Sequence, residues 1–235
     1  MKVKFVTSSH HLASTMNEWL TPAYPKWFKD IRSMIDYKER RHKKTVKTCP
    51  AFVHLFKNSY LLRAPQDFML RFTDKRVIDH QQPNEQKLVS VHSFDFKDTM
   101  SIDWRNILSV KVDIAGLFIP ERSTSCLFFD PQYHIQENRI PLRVMTGVWP
   151  MHPNIHSNIG INMMGDRSKF DKDGIITVNR GDPLAYLYWP EGKPTIEAEV
   201  VSIERYNTEF TYVREHFIGD FLKKEARLMK EKNDE

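Results

Sequence analysis

The sequence lacks the features that mark several common protein classes. Its apolar runs, such as residues 114–120, are far too short to span a bilayer. The beginning, MKVKFVT, carries charges without a sustained apolar region or a small-residue cleavage site, and so predicts no signal peptide. There are only two cysteines, Cys49 and Cys126, and without export signals we expect reduced thiols rather than a disulfide. These absences predict a cytosolic compartment and no membrane partner.

Motifs that carry chemistry are equally scarce. No glycine-rich loop that could cradle a phosphate is present, and Ser123 and Ser125 lack the glycines of a nucleophile elbow. His152 and His156 are separated by a proline, which is incompatible with a helical metal-binding pair, and no third ligand follows at a fixed spacing. Cys49 precedes Pro50 at a predicted helix start, where a cap is the simpler interpretation than a nucleophile. We therefore predict no enzyme activity, no metal and no cofactor.

What the sequence does contain is strand periodicity. Apolar and polar residues alternate from Tyr60 to Glu204, most clearly over 109–114, and this two-residue period is typical of strands that bury one face. The predicted strands cover residues 2–8, 87–96, 107–119, 123–129, 139–149, 156–164, 175–180, 183–189 and 195–204, with a polar loop over 75–86. Short strands at this spacing predict a mainly β, α+β fold, a sandwich or barrel such as a jelly roll.

The two ends of the chain follow a different pattern. We divide the single domain 1–235 into a helical, aromatic arm (1–58), a β core (59–205) and a C-terminal amphipathic helix (206–235). Aromatics and prolines are dense over 17–37, and a helix is predicted from Pro25. In the C-terminal segment, apolar residues recur every three or four positions after a Thr208 cap.

Both end segments offer large apolar side chains for one of two purposes. They either cover this chain's own sheet or form contacts with another subunit, and the sequence leaves both interpretations open. We predict that they carry subunit contacts. The expected contact residues are Trp19, Trp27, Phe28, Phe210, Val213, Phe217 and Phe221.

One basic run, residues 38–47, accounts for much of the net charge of +5. A run of this density could meet phosphate or an acidic partner, although a solvated surface gives the same pattern. The candidate phosphate contacts are Arg40, Arg41, Lys43 and Lys44.

Three segments in the second half of the chain resemble the order of motifs in the dUTPase-like β-fold. They are Pro120-Glu-Arg122-Ser123, Gly147-Val148, and Gly181-Asp182-Pro183-Leu184-Ala185. In that family the first segment binds phosphate, the second supplies the carboxylate that activates water, and the third follows in the sheet. Here Trp149-Pro150 stands where the catalytic aspartate would be, so hydrolysis has no general base. The resemblance implies a dUTPase-like fold without its activity.

A second resemblance covers more of the chain. Pro25-Lys-Trp27-Phe28-Lys29 and Thr45-Val-Lys-Thr-Cys49-Pro50-Ala51-Phe52, with the later Gly-Val and Gly-Asp-Pro-Leu segments, are similar to an uncharacterised family encoded mainly by large tailed phages.

This second resemblance implies a phage product, and we expect a non-enzymatic virion component of the head, neck or tail. Such a protein would associate with itself or with other virion proteins, first in the host cytoplasm and then in the virion. Two alternatives stay open. One is a nucleotide- or nucleic-acid-binding protein that modifies the host, and the other is a cupin-like metal enzyme built on His134, His152 and His156.

Overall fold

The computed structural model describes residues 1–37, 41–72, 77–81, 89–93, 107–134, 137, 140–153, 157–166 and 174–208. The strands are β1 (Lys2–Thr7), β2 (Leu20–Pro22), β3 (Met34–Tyr37), β4 (Arg41–Lys44), β5 (Ser59–Arg63), β6 (Phe68–Phe72), β7 (Val77–Gln81), β8 (Val89–Ser93), β9 (Ile107–Pro120), β10 (Thr124–Phe129), β11 (Arg143–Val144), β12 (Gly147–Met151), β13 (Ser157–Asp166), β14 (Ile175–Val178), β15 (Pro183–Tyr188) and β16 (Thr195–Val200). The helices are α1 (His10–Ser14), α2 (Met16–Trp19), α3 (Lys26–Asp30), α4 (Pro50–Lys57) and α5 (Ile203–Tyr206). The chain is therefore a mainly β protein with short helices, as the strand periodicity predicted.

The strands form two larger and two smaller sheets. A six-stranded sheet has the order β11-β13-β9-β1-β16, with β8 also paired to β9, and a five-stranded sheet has the order β12-β10-β15-β5-β2. A third sheet has the order β14-β6-β7, and β3 pairs with β4 alone. One hydrophobic cluster joins Val3 and Ile114 of the six-stranded sheet to Leu62 and Leu187 of the five-stranded sheet and to Leu70 of the third. These three sheets share one core.

Phe5 shows how the alternation on β1 becomes packing. Its ring is fully buried and meets Trp19 at 5.0 Å and Phe118 at 5.7 Å, both edge to face. Gly116 on the neighbouring strand β9 makes room for the ring, since a Cβ there would lie 2.1 Å from Phe5 Cε2. Aromatic contacts of this geometry add to the free energy gained from buried area, so β1 is held firmly against β9.

Strand β1 also forms the one parallel pair among the described strands. It runs alongside β16 with Lys2 opposite Thr195 and Thr7 opposite Val200. On the solvent side, Lys2 Nζ lies 3.1 Å from Glu197 Oε1, and Lys4 Nζ lies 2.9 Å from Glu199 Oε2. Exposed ion pairs of this kind contribute little stability, about 0–1 kcal/mol each.

Some predicted boundaries need correction. The predicted loop 75–86 contains strand β7, because residues 77–81, which begin with Val77 and Ile78, pair with the backbone of β6. The predicted strand 139–149 is two strands in different sheets, since β11 pairs with β13 and β12 pairs with β10. The predicted strand 195–204 ends at Val200.

The predicted Thr208 cap is also wrong. Ser202 caps the short helix α5 by accepting a hydrogen bond from the Arg205 amide, six residues before the predicted cap. The Thr208 hydroxyl instead donates to the carbonyl of Glu204, at 2.7 Å. The rest of the predicted C-terminal helix lies outside the described residues.

Candidate functional site

An aromatic cluster connects the N-terminal helices to the five-stranded sheet. Pro25 precedes α3 and Pro50 occupies the first turn of α4, where a proline costs no hydrogen bond. The two helices bring Phe28 and Phe56 together edge to face, with ring centroids 4.9 Å apart. Fully buried Tyr186 of β15 lies beneath them. The predicted arm is therefore packed on the sheet of its own chain.

Next to this cluster lies a group of three ionisable side chains. Glu137 accepts hydrogen bonds from Nη1 of Arg63 and, at 2.5 Å, from Nδ1 of His134. The same Arg63 Nη1 donates to the carbonyl of Gly181 at 2.8 Å, and its Nε donates to Thr21 Oγ1 at 3.3 Å. Gly181 has φ +89°, a conformation that favours glycine, and so presents its carbonyl to the guanidinium. We call Arg63, His134 and Glu137 the ion cluster.

Burial sets the protonation of the ion cluster. Desolvation lowers the pKa of His134, although Glu137 favours the charged ring, and Arg63 adds a smaller lowering effect. Burial opposes charge on Glu137, but Arg63 and His134 outweigh it and hold the pKa of that carboxyl below its usual value. At neutral pH the cluster is a carboxylate between a guanidinium and a neutral imidazole.

This geometry also restricts what the ion cluster can do. With Nδ1–H donating to Glu137, the lone pair of the neutral ring lies on Nε2, and the ring also faces the backbone of Ala23, which favours its charged form. A carboxylate-oriented imidazole of this kind could serve as a base, but the His134 side chain is only 2% exposed. A base must reach its substrate, so the cluster fastens the loop after β10 to β5 and β15 and does not form an open active site.

The structure brings the predicted contact residues of the arm into the interior. Trp19 is 1% exposed and its indole N–H donates to the carbonyl of Leu12 at 3.0 Å, and Phe28 is 4% exposed. Trp27 is half-buried and donates to the carbonyl of Tyr133. Side chains of this same chain cover Trp19 and Phe28, which are therefore closed to a partner in this structure. The predicted contacts Phe210, Val213, Phe217 and Phe221 lie outside the described residues.

The predicted phosphate contacts lie on or beside the β3–β4 hairpin. Arg41, Lys43 and Lys44 belong to β4, and the side chain of Lys44 is exposed. Arg40 lies outside the described residues.

The candidate histidines and cysteines do not group together in the described part of the chain. His134 belongs to the ion cluster, His152 is half-buried, and His156 lies outside the described residues. No three His, Cys, Asp or Glu side chains that are described group together as a metal site. Cys126 is fully buried, and desolvation raises the pKa of its thiol well above the usual value. Cys49 stands at the start of α4 as predicted, although its side chain forms no capping hydrogen bond.

The three segments that resemble dUTPase motifs lie on adjacent strands. Ser123 precedes β10, Gly147 begins β12, and Gly181 precedes β15, and β10 pairs with both other strands. In the register, Gly147 lies opposite Phe128 at the end of β10 that is remote from Ser123. Since each residue advances a strand by about 3.3 Å, Ser123 lies roughly 15 Å along the sheet from Gly147. The third segment is farther away, because Tyr186 is already opposite Phe129 and Gly181 lies five residues before Tyr186. Within one chain the three segments do not converge.

Strand β12 carries the most exposed large apolar side chain of the described structure. It is the edge of its sheet, and it contains no charged residue: the sequence is Gly147-Val-Trp-Pro-Met151. Val148 is 65% exposed, while Trp149 packs on Phe128 with ring centroids 5.4 Å apart. Sequence reasoning noted Gly147-Val148 only as a motif. Pro150 could have predicted the edge position of β12 from the sequence, because a proline within a strand indicates an edge.

The described structure thus defines a mainly β, α+β protein with a closed ion cluster and an uncharged strand edge. No described helix is long and apolar enough to cross a membrane. The sequence matches no protein-family model and no curated protein sequence.

Proposed function

We propose that this protein is a non-enzymatic phage protein that acts by protein–protein association, as an accessory component of the virion. The observation that carries the association is the uncharged edge β12 with its exposed Val148. The phage context rests on the resemblance of the Trp27 and Cys49–Phe52 segments described from sequence. The protein would be made in the host cytoplasm and then enter the virion.

A comparison of two open edges supports β12 as the contact. Among the described strands, β12 pairs only with β10, and β16 pairs only with β1. On β16, Glu197 and Glu199 form ion pairs with Lys2 and Lys4, and charges of this kind protect an edge from pairing with another chain. Strand β12 carries no such charge. An uncharged edge with an exposed apolar side chain is suited to receive another strand.

The partner we assign to this edge is a second copy of the chain. Two copies of β12 can pair about a two-fold axis, which places Val148 of each copy at the same contact. Pro150 lacks an N–H, and a strand tolerates a proline where its nitrogen faces away from the neighbour. Val148, two residues earlier, shares that orientation, so its amide points to the open side. Pro150 limits the number of backbone hydrogen bonds between the two copies of β12. Apolar contact must therefore supply the rest of the free energy of association.

The contribution of Val148 follows from its exposure. Complete burial of a valine side chain is worth about 1.5–3 kcal/mol, so covering the 65% now exposed gives about 1–2 kcal/mol per copy. The Val148 side chains of the two copies together contribute about 2–4 kcal/mol to association, which lowers the dissociation constant by at least about 30-fold.

We would test the edge with a matched pair of lysine substitutions. Val148→Lys places a charge on β12 and should yield a folded monomer. Ala198→Lys places the same charge at an exposed position on β16 and should leave association unchanged. Equal effects of the two substitutions would show that β12 is not the contact.

The virion assignment has its own test. Mass spectrometry of purified particles should detect the protein at a defined copy number. Its presence in infected cells together with its absence from particles would contradict the virion role and favour a host-directed protein.

We also propose a particular type of β fold for this chain. Two large sheets around one core, with the motif segments on β12, β10 and β15, support a sandwich of the jelly-roll or dUTPase-like kind. The parallel β1–β16 pair is a departure from an all-antiparallel jelly roll. An experimental structure compared with both architectures would decide between them.

A further inference from the structure

Positive charge is concentrated in one part of the sequence. Residues 26–57 contain ten Lys and Arg against three Asp and Glu, a net charge of +7. Since the whole chain carries +5, the remaining residues carry −2. A segment with a charge opposite to the rest of its chain indicates a polyanionic partner for that segment.

The fold presents this charge on a separate two-stranded ribbon. Strands β3 and β4 pair with each other, and among the described strands they pair with no others. Because an isolated hairpin is marginally stable in water, its base needs support from outside the ribbon.

That support comes from Thr45 and Lys47, which follow β4. Thr45 Oγ1 donates to the carbonyl of Arg32 at 2.6 Å, and the Thr45 amide donates to the carbonyl of Ser33 at 3.1 Å. Lys47 Nζ donates to the carbonyls of Lys29 and Ile31, at 2.8 and 3.0 Å. The hairpin is therefore fixed at its base to the segment that follows α3.

The register places the cations along the ribbon. Tyr37 pairs with Arg41 and Ile35 with Lys43, so the two-residue period puts Arg41 and Lys43 on the same face. Lys44 belongs to the opposite face, and its side chain is exposed. Two more exposed cations, Lys29 and Arg32, lie at the base.

We propose that the β3–β4 hairpin binds duplex DNA through its phosphate backbone. The major groove of B-form DNA, about 12 Å wide, admits a two-stranded β-ribbon, and cations on both faces can then meet phosphates on both sides. The deep, narrow major groove of A-form RNA does not admit such an element. A single strand would need a series of stacking rings, whereas β3 and β4 contribute one tyrosine. The binding does not depend on base sequence.

The test is a salt titration of binding to a labelled 20-base-pair duplex of arbitrary sequence, followed by fluorescence anisotropy. Each neutralised phosphate contributes about −0.9 to the slope of log K against log salt, so three contacts contribute about −2.7. Replacing Arg41, Lys43 and Lys44 by Gln should remove that part of the slope. Between about 50 and 200 mM salt, the wild-type affinity should then fall about 40-fold more than the affinity of the variant.

The control removes the same charge elsewhere. Lys2, Lys4 and Arg122 are exposed cations outside the hairpin, and their replacement by Gln should leave the slope unchanged. Circular dichroism of both variants checks that they fold, and Arg41→Lys, which keeps the charge, should keep the wild-type slope. Equal losses in the two triple variants would show a net-charge effect and overturn the proposal. Absence of wild-type binding at about 50 mM salt, or tighter binding to the corresponding single strand, would also overturn it.

Discussion

Removing the Glu137 carboxylate should destabilise the fold, because this carboxylate holds the ion cluster together. Glu137→Gln keeps the size of the side chain but removes the charge that accepts from Arg63 and His134. A hydrogen bond to a charged group is worth about 1.5–3 kcal/mol. The Glu137 side chain is 31% exposed, so water replaces part of what is lost. We expect a loss of about 2 kcal/mol in the free energy of unfolding at pH 7, measured by urea denaturation.

The pH dependence of stability isolates the role of His134. Its pKa is lowered in the folded state, so between that pKa and 6.5 the unfolded chain binds more protons than the folded chain. The free energy of unfolding therefore falls as the pH drops below 6.5. Glu137 acts in a lower window, because its folded pKa lies below 4.5 and its contribution is lost only as the pH falls through that value. His134→Gln should flatten the dependence between about pH 7 and 5.

The control for the ion cluster is an exposed histidine. His11→Gln removes an imidazole from the surface and should leave the stability at pH 7 as in the wild type. In a double-mutant cycle, Glu137→Gln and His134→Gln should be non-additive, since the two side chains touch. Wild-type stability in Glu137→Gln, or an unchanged pH dependence in His134→Gln, would refute the structural role assigned to the cluster.

Three further predictions concern packing, thiols and catalysis. Gly116→Ala should lower the free energy of unfolding by about 1–3 kcal/mol because its Cβ meets the ring of Phe5, whereas Gly147→Ala, whose Cβ would lie 4.0 Å from the Met145 carbonyl oxygen, should be nearly neutral in thermal unfolding. One thiol should react with Ellman's reagent in the native protein and two after denaturation, since Cys126 is buried and Cys49 is partly exposed; two fast native thiols would contradict this. Purified protein should release no pyrophosphate from dUTP and contain no stoichiometric zinc, iron or manganese by elemental analysis, and either finding would count against a non-enzymatic role.

The strands could be predicted from the sequence because burial of one face leaves a direct two-residue signal. Residues 109–112 show this alternation within β9, whereas β15 (183–188) is buried on both faces and appears in the sequence as an apolar run. Strand β7 was missed because its only apolar residues, Val77 and Ile78, are adjacent and give no two-residue period, and its pairing with β6 depends on backbone hydrogen bonds that the side-chain pattern does not show. The division of 139–149 into β11 and β12 was missed for a related reason, since periodicity does not tell which sheet a strand joins.

The candidate sites depended on contacts between distant residues, and these left little signal. Arg63 and Glu137 are 74 positions apart, and nothing in the sequence pairs them. The His134 and Glu137 spacing of three was visible but is common by chance. Trp19 and Trp27 were recognised as large apolar residues, but composition cannot tell whether a ring faces its own core or a partner. The exposure of Val148 required the sheet order, which places β12 at an edge.

Sedimentation velocity of the wild-type protein, at low and high salt over a range of concentrations, tests the proposed association most directly. Association through the apolar β12 edge predicts an oligomer whose fraction grows with concentration and which persists in about 1 M salt, where exposed charges are screened within about 3 Å. A protein that sediments as a monomer at every concentration and salt would contradict self-association. An oligomer that dissociates in salt would show that charge, and not the β12 edge, holds the copies together.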